Sequence, residues 1–142
     1  MRLSRRLYVS ALCLCATLVA PLGHAAKVSN DPMLKHAAIQ ALVAGNTSVG
    51  RHVIQGYRFR WHYVDGGVLH SFVDDASAPD IGRWWVDKDK LCVAWEGFDQ
   101  PLCRNVLRGN DGKYRKVLVT RKGKRKLVIK YGSIHAGIVR TP

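Results

Sequence analysis

Beyond residue 47 the chain alternates apolar and polar positions in short runs separated by turn-forming residues. The runs fall at about 49–55, 57–64, 67–73, 82–87, 90–96, 102–108, 113–120 and 124–131, and a period of two is the mark of half-buried β-strands. Eight short strands in succession predict an antiparallel meander that curls into a strongly curved sheet or a small up-and-down barrel. One earlier segment has a different period. In "SNDPMLKHAAIQALVAGN", Ser29 or Asn30 can cap a helix, Pro32 suits its first turn, and Gly45-Asn46 stops it. Met33, Ala37, Ala41 and Ala44, with Leu34, Ala38 and Leu42, then form a broad apolar stripe for packing on the sheet. The expected fold is therefore mainly β, with an N-terminal helix laid on about eight strands.

Turn chemistry gives the first view of faces, because a hairpin fixes which residues lie opposite one another. With Asp65-Gly66 or Gly66-Gly67 at the apex of "VDGGV", Phe59, Trp61 and Tyr63 share a face with Val68, His70 and Phe72. Arg58, Arg60 and His62 then share the other with Leu69, Ser71 and Val73. With Lys88-Asp89 as a two-residue turn in "GRWWVDKDKLCVAW", Trp84 lies across from Val93 and Trp85 across from Cys92. If Cys92 and Cys103 are opposite each other, Trp84, Val86, Leu91, Val93, Trp95 and Leu102 fall on one apolar face. A third turn is expected at Gly123. There Leu127, Ile129 and Tyr131 alternate with Lys126, Val128 and Lys130, which gives one buried face and one cationic face.

Composition adds a leader and a redox setting. "MRLSRR", the apolar run "LYVSALCLCATLVAPL" and the small residues around Ala25 have the layout of a signal peptide cleaved after Ala25, followed by one domain over residues 26–142. Pro21 and Gly23 interrupt the run short of a membrane span, and Leu before both Cys13 and Cys15 does not suit lipidation. Three of the 23 Lys and Arg residues lie in the leader, so 20 remain to face all 10 acids. The two cysteines left, Cys92 and Cys103, read as one disulfide in a periplasmic or secreted protein. Their spacing matches no zinc motif.

No nucleophile elbow, phosphate-cradling glycine loop, dinucleotide fingerprint or paired metal motif is present, so no cofactor, metal or catalytic residue is assigned. The histidines beyond the leader are scattered at His36, His52, His62, His70 and His135, and the hairpin faces above put His62 and His70 on opposite sides. The acids gather in turns, which does not supply the paired carboxylates of a glycosidase. More distinctive is "KYRKVLVTRKGKRKLVIKY", Lys113–Tyr131, with nine basic residues and no acid. Its tip of Arg121, Lys122, Lys124, Arg125 and Lys126 is a candidate anionic-surface site for lipid, lipopolysaccharide or polysaccharide. Nucleic acid is not a natural target outside the cytoplasm. Trp85, Arg58, Arg60 and His62 are the candidates for a cavity or a contact.

The elements "IQALVAGNTSVG", "YVDGG", "GRWWVDKDKLCVAW" and "CRNV" resemble an exported proteobacterial family named domain of unknown function 995. There a "GNT" element follows a helix, and a Gly-x-Trp precedes a Leu-Cys-x-x-Trp strand and a second cysteine. The matching positions are Gly45, Asn46 and Thr47, then Gly82 and Trp84, then Leu91, Cys92 and Trp95, then Cys103, within about residues 36–110. The resemblance implies export and a shared β-rich domain, and it brings no activity or site residues. Gly82-x-Trp84 also looks like the lipocalin signature, but that motif opens a first strand and Gly82 is mid-chain. The expected role is a non-enzymatic accessory protein that binds an anionic envelope component or an envelope protein. A hydrolase inhibitor or immunity protein inserting "DDASAPDIG" or "GFDQP" is one alternative. A small-ligand carrier is another, for which a barrel filled by Trp61, Trp84 and Trp95 would leave no room.

Overall fold

The computed structural model describes residues 30–139; the leader expected over residues 1–25 lies outside them. A single helix, α1 (His36–Val43), precedes eight antiparallel strands: β1 (Asn46–His52), β2 (Arg58–Tyr63), β3 (Val68–Val73), β4 (Asp80–Asp87), β5 (Lys90–Trp95), β6 (Leu102–Arg108), β7 (Tyr114–Val119) and β8 (Arg125–Ala136). Each strand pairs with the next, and β8 pairs with β1, so the meander is a closed barrel. Eight strands enclose an interior just wide enough to be filled by side chains or to hold one small ligand.

The closing strand is the irregular one. Along β7, Lys116 is opposite Ile129 while Val117 is opposite Leu127, which leaves Val128 as an extra residue. Along β1, Gly50 is opposite Tyr131 while Val49 is opposite Ser133, which leaves Gly132 as a second. Bulges bend a strand and increase its twist, and two of them within β8 bring its far end back onto β1. They also change which side chains point inward. Ile129 and Tyr131 are buried in the core, but beyond the Val128 bulge Lys126 turns to the inside and Leu127 to the outside, against simple alternation.

The hairpin between β4 and β5 follows the two-residue turn. Lys88 and Asp89 have φ of 43° and 59°, as a type I′ turn requires, and Trp84↔Val93, Trp85↔Cys92 and Cys92↔Cys103 are direct partners. Cys92 and Cys103 form a disulfide across β5 and β6. The hairpin between β2 and β3 does not follow the expected register. Gly66 and Gly67 both have positive φ, Gly67 N–H donates to the Val64 carbonyl, and Val64 N–H donates to Val68. The loop thus has three residues, one more than a two-residue turn. Tyr63, Trp61 and Phe59 come opposite Leu69, Ser71 and Val73, which puts Val68, His70 and Phe72 on the outer wall with Arg58, Arg60 and His62. A shift of one residue exchanges the faces of a strand.

The helix is shorter than its pattern suggested, and it buries other residues. Asn30 to Lys35 is not helical. The β5 partners of β6 end at Leu91↔Arg104, so the end of β6 is left open, and residues 32–34 cover it. Leu34 N–H donates to Val106, Arg108 N–H donates to Pro32, and Met33 bridges Leu107. Main-chain bonding there outweighs helix propensity. Within α1 the buried residues are Ile39 and Val43, one turn apart, while Ala37, Ala38 and Ala41 are exposed. The larger side chains bury more apolar area. Lys35 Nζ and the His36 N–H both donate to the Asp89 carboxylate of the β4–β5 turn.

Below the helix, one half of the barrel is an aromatic plug. Tyr63 meets Trp84 edge-on at 5.6 Å and Trp61 at 6.4 Å, and Trp61 leans on Phe59 at 4.3 Å between ring centroids. The Trp84 indole N–H donates to the Val64 carbonyl, which ties the plug to the β2–β3 loop. Burial raises the Tyr63 hydroxyl to about 12 and raises that of its neighbour Tyr131 as well.

The disulfide closes a separation of 11 residues, for which loop-closure entropy gives about 3 kcal/mol. The pair C92A/C103A is expected to lower the unfolding free energy by about that amount in urea titrations. Reductant should lower the wild-type protein to the same midpoint and leave the variant unchanged.

Candidate functional site

The other half of the barrel is open. The β1–β2, β3–β4, β5–β6 and β7–β8 connections surround a cavity of about 530 Å³ between them, within the range of sites for small organic molecules. Its floor and walls include Trp61, Ser71, Val93 and Trp95, with Arg104 and Lys116 among them and His52, Ile54, Phe98 and Lys126 nearer the rim. The tryptophans expected to fill the barrel do so in part only. Trp84 belongs to the plug, while Trp61 and Trp95, 6.0 Å apart, are cavity walls.

The position of Trp95 depends on Gly82. These residues are direct partners across β4 and β5, and a Cβ at Gly82 would fall 2.6 Å from the indole ring. The bare backbone therefore lets the ring lie flat against β4 instead of standing in the cavity. In physical terms, the Gly-x-Trp element supplies one plug residue and the space for one wall residue.

Lys116 is the unusual group in this interior. It lies between Val106 on β6 and Ile129 on β8 and is only 3% exposed. Its ammonium is 5.4 Å from the centre of the Trp61 ring, and among the described residues it has no hydrogen-bond or ion-pair partner. A buried charge without a counter-charge disfavours its own ionised form. Burial, followed by the repulsion of Arg104, lowers Lys116 to about 7. The cation–π contact offsets part of that cost. Arg104 donates to the Cys103 carbonyl, which holds it at the same wall. His52 is lowered too, first by burial and then by Lys116. Asp80 is the carboxylate among the lining residues, and it makes no ion pair with Lys116. The Trp61 indole N–H is likewise buried without an acceptor among the described residues.

The residues singled out from sequence lie elsewhere. Arg58, Arg60 and His62 are on the outer wall, with Arg60 over the Phe72 ring at 4.4 Å. His62 is buried there, 3.1 Å from the Thr47 hydroxyl, and it is directly opposite His70, with ring centroids 6.2 Å apart. The two histidines thus share a face, contrary to expectation, because of the extra residue in the β2–β3 loop. Burial lowers His62, and His70 lowers it further. No group of three metal-ligating side chains occurs among the described residues. Trp85 is half-exposed on the outside beside Cys92. Arg121, Lys122 and Lys124 are at the β7–β8 tip, next to the cavity mouth, and Lys126 lines the cavity itself. Arg125 instead donates to the Asp31 carbonyl. The "DDASAPDIG" loop is shortened, because β4 already begins at Asp80. Lys116 was hidden in the basic run, where it reads as one more solvated lysine. Its signal is that Tyr114, Lys116 and Leu118 alternate with Arg115, Val117 and Val119, two faces of equal hydrophobicity that only the partner strands can distinguish.

Compared with family models, curated proteins and solved structures, the chain matches none.

A lysine lowered in the folded state binds fewer protons there than in the unfolded chain between about pH 7 and 10. Its penalty on stability is complete below pH 7 and lifts as pH rises toward the unfolded value. Urea midpoints of the wild-type protein are expected to increase from pH 7 to 10. Lys116→Met keeps the volume and removes the charge, and should raise the midpoint at pH 6 by the equivalent of a few kcal/mol, since each tenfold loss of proton affinity is worth about 1.4 kcal/mol. An unchanged midpoint at pH 6 would show that Lys116 is solvated.

Proposed function

We propose that the protein is an exported, non-enzymatic binding protein that holds a small amphipathic molecule in the open end of its barrel, with an anionic group of the ligand against Lys116 and Arg104. Lys116 carries this reading. A cation held inside an apolar, aromatic-walled cavity, beside a second cation and with no ion-pair partner among the described residues, gains most from a ligand that brings a negative charge to it. The volume suits one small molecule, and Trp61, Trp95 and Val93 suit its apolar part. This combines the anionic-component and small-ligand readings of the sequence. Export is supported by the leader-like first 25 residues and by a disulfide, which persists in oxidising compartments.

Protonation links to binding. At pH 8 much of Lys116 is neutral, so an anionic ligand should draw a proton onto it from solution. With dodecanoate as the probe, isothermal titration at pH 8 in buffers of different ionisation enthalpy is expected to show net proton uptake. Dodecanol and dodecyltrimethylammonium should bind at least about tenfold more weakly, the scale of one lost charge-assisted contact. Lys116→Met should lose both the preference and the proton uptake. Equal affinity for dodecanoate and dodecanol, retained in Lys116→Met, would overturn the reading.

A further inference from the structure

We propose that the open end of the barrel docks on an anionic lipid surface, the exposed apolar residues of its rim entering the headgroup boundary and the β7–β8 tip lying against the phosphates. Such docking does not depend on what occupies the cavity. Exposed apolar side chains are unevenly distributed over the barrel. The large hydrophobic residues left exposed are Val53, Ile54, Val68, Ile81, Trp85, Phe98, Leu102, Leu118 and Ile138, and Phe98 is 70% and Ile54 55% exposed. Six of these nine, Val53, Ile54, Ile81, Phe98, Leu102 and Leu118, lie at the open end, on the β1–β2 loop, the start of β4, the β5–β6 connection, the start of β6 and the end of β7. Scattered exposed apolar residues are ordinary on a protein surface, whereas a cluster at one end marks a contact surface.

Charge selects the occupant. In barrel order the β7–β8 hairpin stands between the β5–β6 and β1–β2 hairpins, the two that carry Phe98 and Ile54. Its turn is closed by Thr120 and Lys124, and Arg121, Lys122 and Lys124 are exposed with no ion-pair partner among the described residues. The acids on this side are Glu96 and Asp99, flanking Phe98. Asp74, Asp75 and Asp80 are at the β3–β4 connection across the mouth, where Asp75 already lies near Arg58. The rim is thus cationic on the β7–β8 hairpin and apolar on the two hairpins beside it, with acids at Glu96, Asp99 and around the β3–β4 connection. Apolar insertion joined to attraction for anionic headgroups is the pairing that holds a peripheral protein on a bilayer, and neither alone is sufficient. A soluble polyanion would be satisfied by the cations and indifferent to Phe98. An acidic lipid surface uses both, and the cavity opens toward it.

The test is flotation of the exported chain, residues 26–142, with vesicles of phosphatidylcholine alone and of phosphatidylcholine with phosphatidylglycerol at about three to one. Binding is expected to the anionic vesicles only, and to be released by about 0.5 M salt. F98S/V53S leaves every charge in place and should reduce the bound fraction about tenfold; R121E/K122E/K124E should abolish it. None of the residues in the charge-reversed variant lines the cavity, so its affinity for dodecanoate in the absence of vesicles should equal that of the wild type, which separates this proposal from the ligand reading. Failure to float with anionic vesicles overturns it. So does F98S/V53S floating as well as the wild type while charge reversal abolishes binding, since that is the behaviour of a plain polyelectrolyte surface. Sedimentation showing a dimer that F98S/V53S dissociates would assign the rim to a second copy of the chain and overturn it equally.

Discussion

The pairing of β8 with β1 is the constraint on which the rest of the molecule depends. Closure removes both sheet edges, and it also fixes a diameter that the interior side chains must fill from one end to the other. Closure is achieved by bending the last strand at Val128 and Gly132. Where the second bulge meets β1, Gly50 is a close approach as well as a strand residue. A Cβ there would collide with the Phe59 ring and the β8 backbone. The seam and the aromatic packing are therefore one arrangement: β8 can come close because β1 has no side chain at that point, and Phe59 occupies the space left.

Filling is unequal along the barrel axis. At the helix end, Ile39 and Val43 cover Tyr63, Leu69, Trp84 and Leu91, all of them buried. At the other end the strands contribute Ser71, Val93 and Gly82 where bulkier residues would be needed to complete the core. The same few tryptophans serve both halves, Trp61 being at once the top of the plug and the floor of the cavity. A core of this kind resists collapse into the open half, since its aromatic rings are held by one another and by the bond from Trp84 to the Val64 carbonyl. The cavity is a consequence of rigid packing beneath it, and the ammonium of Lys116 is held over that floor.

Legibility in the sequence tracks how tightly local chemistry constrains each hairpin. Eight strands and their approximate ranges follow from period-two alternation, and the region from Gly82 to Cys103 is readable almost residue by residue. There the Lys88-Asp89 turn admits one register, and the cysteine pair independently gives the next. The Asp65-Gly66-Gly67 turn is different. Adjacent glycines accept positive φ at either position, so two-residue and three-residue loops are both allowed, and the choice between them exchanges the faces of β3. Arg58, Arg60 and His62 lie opposite the aromatic face of β2 in either register, and only the β3 residues beside them change. The helix misled in another way: a run of alanines satisfies the periodicity without saying which face carries the burial, and Ile39 with Val43 outweighs it. The site was least legible because its central residue sits just before a bulge. No local pattern marks Val128 as the extra residue, yet its presence decides that Lys126 joins Lys116 inside while Leu127 goes outside.

That placement bears on why a lysine occupies the interior. An arginine at position 116 would keep its charge at any pH, and its fork would need several acceptors that these walls do not supply. A methionine would complete the core and close the question of a ligand. Lysine alone among the three can be accommodated empty, by giving up its proton, and occupied, by taking one back. The energy that an unpaired charge would otherwise withdraw from the fold is thereby limited to the cost of deprotonation in the free protein. It becomes available again when a negative group arrives. The depressed proton affinity of Lys116 and its lack of an ion-pair partner among the described residues are then two aspects of one arrangement. An acid placed at Ser71 or Val93 to pair with the lysine would stabilise the empty barrel and, by the same interaction, oppose the anion binding proposed for it.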